Sequence, residues 1–427
     1  MNDTEPSQTR SISDEKPLRI AFFTNGFPIA SETFIALQAA QLIARGHDVR
    51  IFSLSNLAPG RDTSTRHVQE LLKGRHTSAR WPRNPIKRLI KALPASARTA
   101  RQAGWAKTPI LNPLTFRRNW RDLTSVFQAD LVAGEKPFDI LHCQFAPLAE
   151  PVLKLVDAGL LSGKLIVHFR GYDISEVVHD LGPNIYDYIW DRAERVLVVC
   201  EPFRTMAEAI GCPPEKIALG RSGIELSSFP FRPPLELGEG PVRLISVGRL
   251  VERKGIHTLL EALARLGKAG LDATLTLIGD GEEKARLVRL AHDLGLADTV
   301  RFTGFLSHET LAKELQEHHI FVAASQLGPS DGMDGPNNTI KEAMAVGVPV
   351  CATNHGGIPD LIEDGVTGTM AREADAEDLA SALTRLIAAH EDWPSITRAA
   401  RRKMEQEYET QKVTDQLLDV YRSVSES

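Results

Sequence analysis

SVGRLVERKGIHTLLEAL, residues 246–263, is the stretch whose reading decides the architecture. The apolar run RLISV, residues 243–247, has the length and continuity of a buried parallel strand. From about Ile256 the apolar residues recur at helical spacing. Strand, short loop and helix in that order make one β-α step. The loop holds Gly248, Arg249, Lys254 and Gly255. A glycine at a strand end lets the backbone come close to a ligand. Two cations beside a helix start suit a diphosphate. The same letters also fit a basic loop whose charge is spent on Glu252.

The same step repeats in both directions. Downstream, TLTLI, VRF, IFVAA and PVCAT are short apolar runs, separated by helical stretches at about 256–269, 282–294, 308–318, 339–346 and 375–389. Upstream, LRIAFFT (18–24), VRIFSL (49–54), ILHC (140–143), LIVHF (165–169) and RVLVVC (195–200) alternate in the same way. A helix is expected from about Thr33 to Ala44, with Ser31 as its cap. Between the halves, SSFPFRPPLELGEGP (227–241) has four prolines and two glycines and reads as a linker. Alternation of this kind predicts an α/β protein of two doubly wound parallel sheets. The expected division is a disordered tail over 1–17, a first domain over 18–225, a linker over 226–241, a second domain over 242–394 and charged helices over 395–427. Those last helices are expected to pack back toward the first domain. Two open sheets place a ligand at the carboxyl ends of their strands, in the cleft.

Composition narrows the function. A net charge of −5 over 427 residues argues against a general nucleic-acid binder. Residues 71–121, however, hold 13 Lys or Arg and no Asp or Glu, so one insertion is basic on an otherwise acidic chain. Cys143, Cys200, Cys212 and Cys351 form no C-x-x-C pair, which argues against zinc or dithiol chemistry. No apolar leader core and no run of 18 apolar residues stands in the sequence, so a cytoplasmic protein is expected.

The second informative stretch is DGPNNTIKEAMAVGVPVCAT, residues 334–353. Asp334 lies in a Gly/Pro loop and Glu342 near the start of the following helix, whose positive dipole end faces the loop. Thr339 and Glu342 also fit a capping box, with Glu342 merely closing the helix start. These two stretches, with LTLIGDGEE (275–283), VRFTGFLS (300–307) and NHGGIPDLIEDGVTG (354–368), closely resemble the retaining glycosyltransferases of family 4, which have the GT-B fold. The N-terminal TNGFPIASETFIALQAAQLIARGHDVRIFSL (24–54) resembles the enzymes of bacterial exopolysaccharide assembly, of the colanic-acid and amylovoran type.

The resemblance implies the roles. Arg249 and Lys254 would hold the donor diphosphate beside Gly248, and Glu342 would bind the ribose. Asp334 would contact the donor sugar, Asn338 and Thr339 would supply the helix start, and Gly304 and Phe305 would meet the base. Gly26, Ser31 and Glu32 would face the acceptor. The chain departs from the family at Asp334, where Glu is usual, at Arg170, where His is usual, and at Gln144, where His is frequent. Arg170 stays protonated and cannot act as a base, but could stabilise a leaving phosphate. His168 and Asp173, on either side of it, complete the expected catalytic set, although a lone strand histidine also fits a packed core.

A UDP- or GDP-linked sugar is the implied donor, and a polyprenyl-linked oligosaccharide at the inner membrane face is the implied acceptor. Retention of configuration without a metal or cofactor is implied with them. Trp81, Ile86, Leu89, Ile90, Leu93, Trp105 and Trp120 among the cations of 71–121 suit an anionic membrane surface, or simply a solvated insertion. A sugar-nucleotide epimerase on the same fold and a non-catalytic nucleotide-sugar-binding subunit are the competing readings.

Overall fold

The structure, a computed structural model, describes residues 16–29, 32–57, 66–109, 123–306 and 308–426. The N-terminal sheet contains β1 (Arg19–Thr24), β2 (Asp48–Ser53), β3 (His76–Ser78), β4 (Ile140–Cys143), β5 (Lys164–Phe169), β6 (Arg195–Val198) and β7 (Ile217–Leu219). Their order is β3-β2-β1-β4-β5-β6-β7, and every pairing is parallel. The C-terminal sheet contains β8 (Val242–Val247), β9 (Ala273–Ile278), β10 (Val300–Gly304), β11 (Ile320–Ala323), β12 (Val350–Thr353) and β13 (Thr369–Ala371), in the order β10-β9-β8-β11-β12-β13. It too is parallel throughout. The expectation of two doubly wound parallel sheets therefore holds.

The central strands are buried on both faces, which is why they read as unbroken apolar runs: Ile20 to Phe23 and Ile320 to Val322 are fully inaccessible. Helix Ile256–Lys268 lays Leu259, Leu263 and Leu266 on the C-terminal sheet, in one core cluster with Leu379, Leu383 and Leu386 of helix Ala376–Ala388.

The charged helices expected over 395–427 are two, joined by a tight turn. Helix Trp393–Lys403 runs into a π-helical turn, Met404–Tyr408, and a new helix, Thr410–Ser425, starts at Glu409. The break reorients the chain. Backbone bonds Ile224 N to Tyr408 O (2.8 Å) and Thr410 N to Ile224 O (3.0 Å) clamp the turn to the connection after β7. Beyond it, Leu417, Leu418, Tyr421 and Val424 enter the core of the N-terminal half, and Arg45 pairs with Asp415 at 3.0 Å. Within the basic insertion, Pro85–Ala103 forms a helix capped by Asn84, whose side chain accepts from Lys87 N. Among the described residues no helix is long and apolar enough to cross a membrane, and the four cysteines are free and buried.

Candidate active site

The loop after β8 is shaped by close backbone approaches. Gly255 has φ +59, and a Cβ there would stand 1.9 Å from the Ala324 carbonyl oxygen. Gly279, with φ +136, is pressed equally closely on the Gly248 carbonyl. Gly248 itself differs. A Cβ there would meet only the Lys254 side chain, at 3.6 Å, so the protein's own packing does not demand a glycine. Bare backbone at that point is what a close-bound ligand would need.

Lys254 Nζ lies 2.7 Å from Asp334 Oδ2, and both side chains are about 15% exposed. Arg253 reaches the other oxygen at 3.3 Å through Nε, while its Nη1 lies 2.8 Å from Glu176 Oε1 in the N-terminal half. Burial alone would raise the Asp334 carboxyl. Lys254 and Arg253 outweigh it and hold the group below the usual carboxylate range. The bland reading of the loop is thus wrong in its partner: the cations turn to Asp334 and Glu176, not to Glu252. Arg249 is exposed at the mouth, with no ion pair among the described residues. Asp334 N donates to His355 Nε2 (3.3 Å), and His355 Nδ1 lies 2.6 Å from Glu373, which holds the loop from behind.

Helix Asn338–Val346 starts against this loop. Asn337 is its cap, accepting from Thr339 N at 3.3 Å, and the Thr339 hydroxyl donates to Val247 O at the end of β8 (3.2 Å). The capping-box reading therefore fails: the cap is Asn337, and Glu342 is buried in the second turn, not placed to close the first. Burial raises the Glu342 carboxyl and lowers the neighbouring Lys341 ammonium, whose Nζ donates to Ser222 O at 2.8 Å. Gly304, with φ +77, accepts from Gly279 N at 2.9 Å, which brings the end of β10 beside Gly248. Phe305 stands next to it, 72% exposed.

Across the cleft, the loop after β5 meets the Asp334 loop directly. Ser175 Oγ accepts from Met333 N at 3.2 Å, and a Cβ on Gly335 would stand 3.1 Å from Arg170 O. Arg170 is nearly buried. It donates to Gln144 Oε1 (2.5 Å), Gln144 O (3.0 Å) and Ser222 Oγ (3.1 Å), and lies over the Phe34 ring at 4.4 Å. The two departures from the family, Arg170 and Gln144, thus form one hydrogen-bonded unit. Burial lowers the guanidinium to about 10, with Asp173 and Glu32 opposing, so it stays charged at neutral pH. Glu32 opens helix Thr33–Ala44 without a side-chain cap bond; Ser31, the expected cap, lies outside the described residues. Glu32 Oε2 is buried without a hydrogen-bond partner, and burial, opposed by Arg170, raises the carboxyl to about 7. Gly26 is tightly enclosed, since a Cβ would come within 3.2 Å of Ile29 and Leu57.

Two expected catalytic residues belong to the scaffold. His168 is inaccessible, stacked on His142 at 5.5 Å, and His142 Nδ1 lies 2.6 Å from the Tyr421 hydroxyl. Burial first, then Arg170, pushes both rings well below the ordinary imidazole range. Asp173 accepts from three backbone amides, Arg170 N (2.8 Å), Gly171 N (2.9 Å) and Ala146 N (3.1 Å). It fixes the loop that carries Arg170 and is sealed from the cleft. Arg253 escaped the sequence reading. Its only signal was its place between Glu252 and Lys254 in a basic loop, which does not reveal that it spans the two halves. Among the described residues no group of three or more His, Cys, Asp or Glu side chains could hold a metal ion. Cations converging on an open helix tip, with a charged Arg170 opposite, can grip a diphosphate and stabilise charge as it develops there.

Residues 228–403 match the model of the glycosyl transferases group 1, and residues 30–221 that of a glycosyl transferase 4-like domain. The chain is 32% identical to the colanic acid biosynthesis glycosyltransferase WcaL of Salmonella typhimurium, over 95% of this chain and 100% of that one. It is 33% identical to the amylovoran biosynthesis glycosyltransferase AmsK of Erwinia amylovora, over 94% and 99%. Of solved structures, Anabaena HepE in complex with UDP and glucose superposes with a TM-score of 0.67 at 17% identity, covering 95% of this chain and 100% of that chain. That likeness is one of fold.

Proposed function

Since the chain belongs to the group 1 glycosyl transferases and carries the glycosyl transferase 4-like domain in its N-terminal half, we propose that it moves a hexosyl group from a UDP- or GDP-linked sugar to a lipid-linked oligosaccharide during exopolysaccharide assembly. The observation that carries the reading is the meeting of Lys254, Arg253 and Asp334 beside the tip of helix Asn338–Val346. A donor diphosphate laid along Gly248 would take Lys254 and Arg249 as counter-ions and the helix tip as a third positive element. That set supplies, without a divalent ion, the positive charge a leaving diphosphate needs. Glu342 would meet the ribose, Phe305 the base, and Asp334 the sugar.

The bond from the anomeric carbon to the diphosphate breaks, and the acceptor oxygen bonds to that carbon on the same face, so configuration is retained. The acceptor proton goes to the departing phosphate oxygen, because His168 and Asp173 are sealed away from the cleft. Arg170 faces this charge from the other half, and the acceptor enters past Gly26 and Glu32, at the inner face of the membrane. Thermal shift with UDP, GDP and ADP tests the donor site. A true ligand at 100 times its dissociation constant adds about 2.7 kcal/mol of stability. If none of the three raises the melting temperature, the donor assignment is wrong.

A further inference from the structure

The two chain crossings between the halves meet at one point. The connection after β7 runs through Arg221, Ser222 and Gly223. Helix Thr410–Ser425 starts against it, so closely that a Cβ on Gly223 would stand 2.8 Å from Thr410 Cα. Between the two crossings lies a small cavity of about 10 Å³, lined by Phe34, Gln38, Arg170, Arg221, Ser222 and Thr410 among others. That is room for a single water-sized group.

The polar groups around this space are donors in search of an acceptor. Arg221 Nε and Thr410 Oγ1 are buried without a hydrogen-bond partner, and Thr410 is only 4% exposed. Ser222 Oγ accepts from Arg170 Nη1 at 3.1 Å, which leaves its own proton to give. A third cation, Lys341, donates to Ser222 O at 2.8 Å. The first turn of helix Thr410–Ser425 adds its positive end. The carboxylates near these cations all stay outside the lining: Glu407 pairs with Arg221 at 3.5 Å, Glu32 and Asp173 oppose Arg170, and Glu342 stands beside Lys341. Burial still lowers the Arg170 guanidinium against those two carboxylates, so its charge is not fully offset by its own neighbours. Buried donors are rarely left open, and two around one cavity call for an acceptor inside it.

We propose that this cavity is a site for one monovalent anion of chloride size, held by Arg221, Thr410, Ser222 and Arg170, and that the anion pins the two crossings together. A water molecule would take the open hydrogen bonds but bring no charge to the two guanidinium groups. Phosphate and sulfate are too large for the space. Phe34 and Leu37 give the cavity an apolar wall, which a large, weakly hydrated halide tolerates. The inference goes beyond the donor reading and needs no nucleotide. Through Arg170, the occupied site would also steady the guanidinium that faces the donor.

The test follows thermal melting of the full chain while sodium chloride replaces sodium gluconate at constant ionic strength. The wild type should gain melting temperature with a saturating dependence on chloride. Thr410→Val removes only the hydroxyl, and should raise the chloride concentration giving half the gain on the order of 10-fold. Arg221→Met should abolish the gain. Crystals of the wild type grown in sodium bromide should show an anomalous peak between Arg221 and Thr410. A wild type indifferent to chloride overturns the proposal, as does a chloride response that Thr410→Val shares in full. A bromide crystal without that peak overturns it too, and leaves the cavity to water. Should Arg221→Met fail to fold for want of its pairing with Glu407, Thr410→Val and the bromide peak decide the matter. No nucleoside diphosphate enters these measurements, so a failed donor assignment would leave them intact.

Discussion

The two loops that face each other across the cleft use the same kinds of residue in opposite ways. After β5, Asp173 is held by three backbone amides, and His168, on β5 itself, is stacked into the core through His142 and Tyr421. After β8 and before helix Asn338–Val346, Asp334 is held by two side-chain cations at the edge of open backbone. A carboxylate satisfied by backbone amides cannot exchange its partners without unfolding the loop. One satisfied by lysine and arginine can give them up to a diphosphate. The kind of partner, rather than the residue type, separates scaffold from chemistry here.

Breaking the scaffold side should have the largest effect. Asp173→Ala leaves three buried amides without their acceptor and removes a buried charge that offsets Arg170, and should lower stability by about 3–5 kcal/mol in chemical denaturation. Breaking the chemical side should leave the fold intact. Lys254→Ala should lower donor-transfer turnover by about 10²–10³-fold, with an unchanged circular dichroism spectrum; unchanged turnover would refute its role. The buried imidazoles sharpen the contrast through pH. His142 and His168 stay neutral in the fold, while the unfolded chain takes up protons near 6.5. Stability should be full above that pH and fall as pH drops below it, by up to about 1.4 kcal/mol per ring and pH unit. A melting temperature flat between neutral pH and the acid side would contradict this. The smallest effect is expected from Tyr421→Phe, which removes the 2.6 Å bond to His142 and should cost about 1 kcal/mol of stability with turnover unchanged.

The strands the sequence reading missed are instructive. β3, β7 and β13 are three-residue strands at sheet edges. Such short runs carry no period of their own and become strands only because a neighbour offers hydrogen bonds in register, as Ile51 to Ser53 do for β3. In the site, the donor loop was readable because glycine, cations and a helix start fall within ten residues. The pairing of Arg170 with Gln144 was not, because 26 residues and a helix separate them.

The sequence by itself determined the α/β alternation, the two halves and the basic insertion, since each rests on the order of apolar, glycine and charged residues within one short window. Tertiary structure alone decided that Arg253 spans the halves, that Arg170 is paired with Gln144, and that His168 is packed against His142. Those outcomes depend on contacts such as His142 with Tyr421, 279 residues apart. Whether a polar side chain meets water, backbone or another charge is settled only when distant segments close around it.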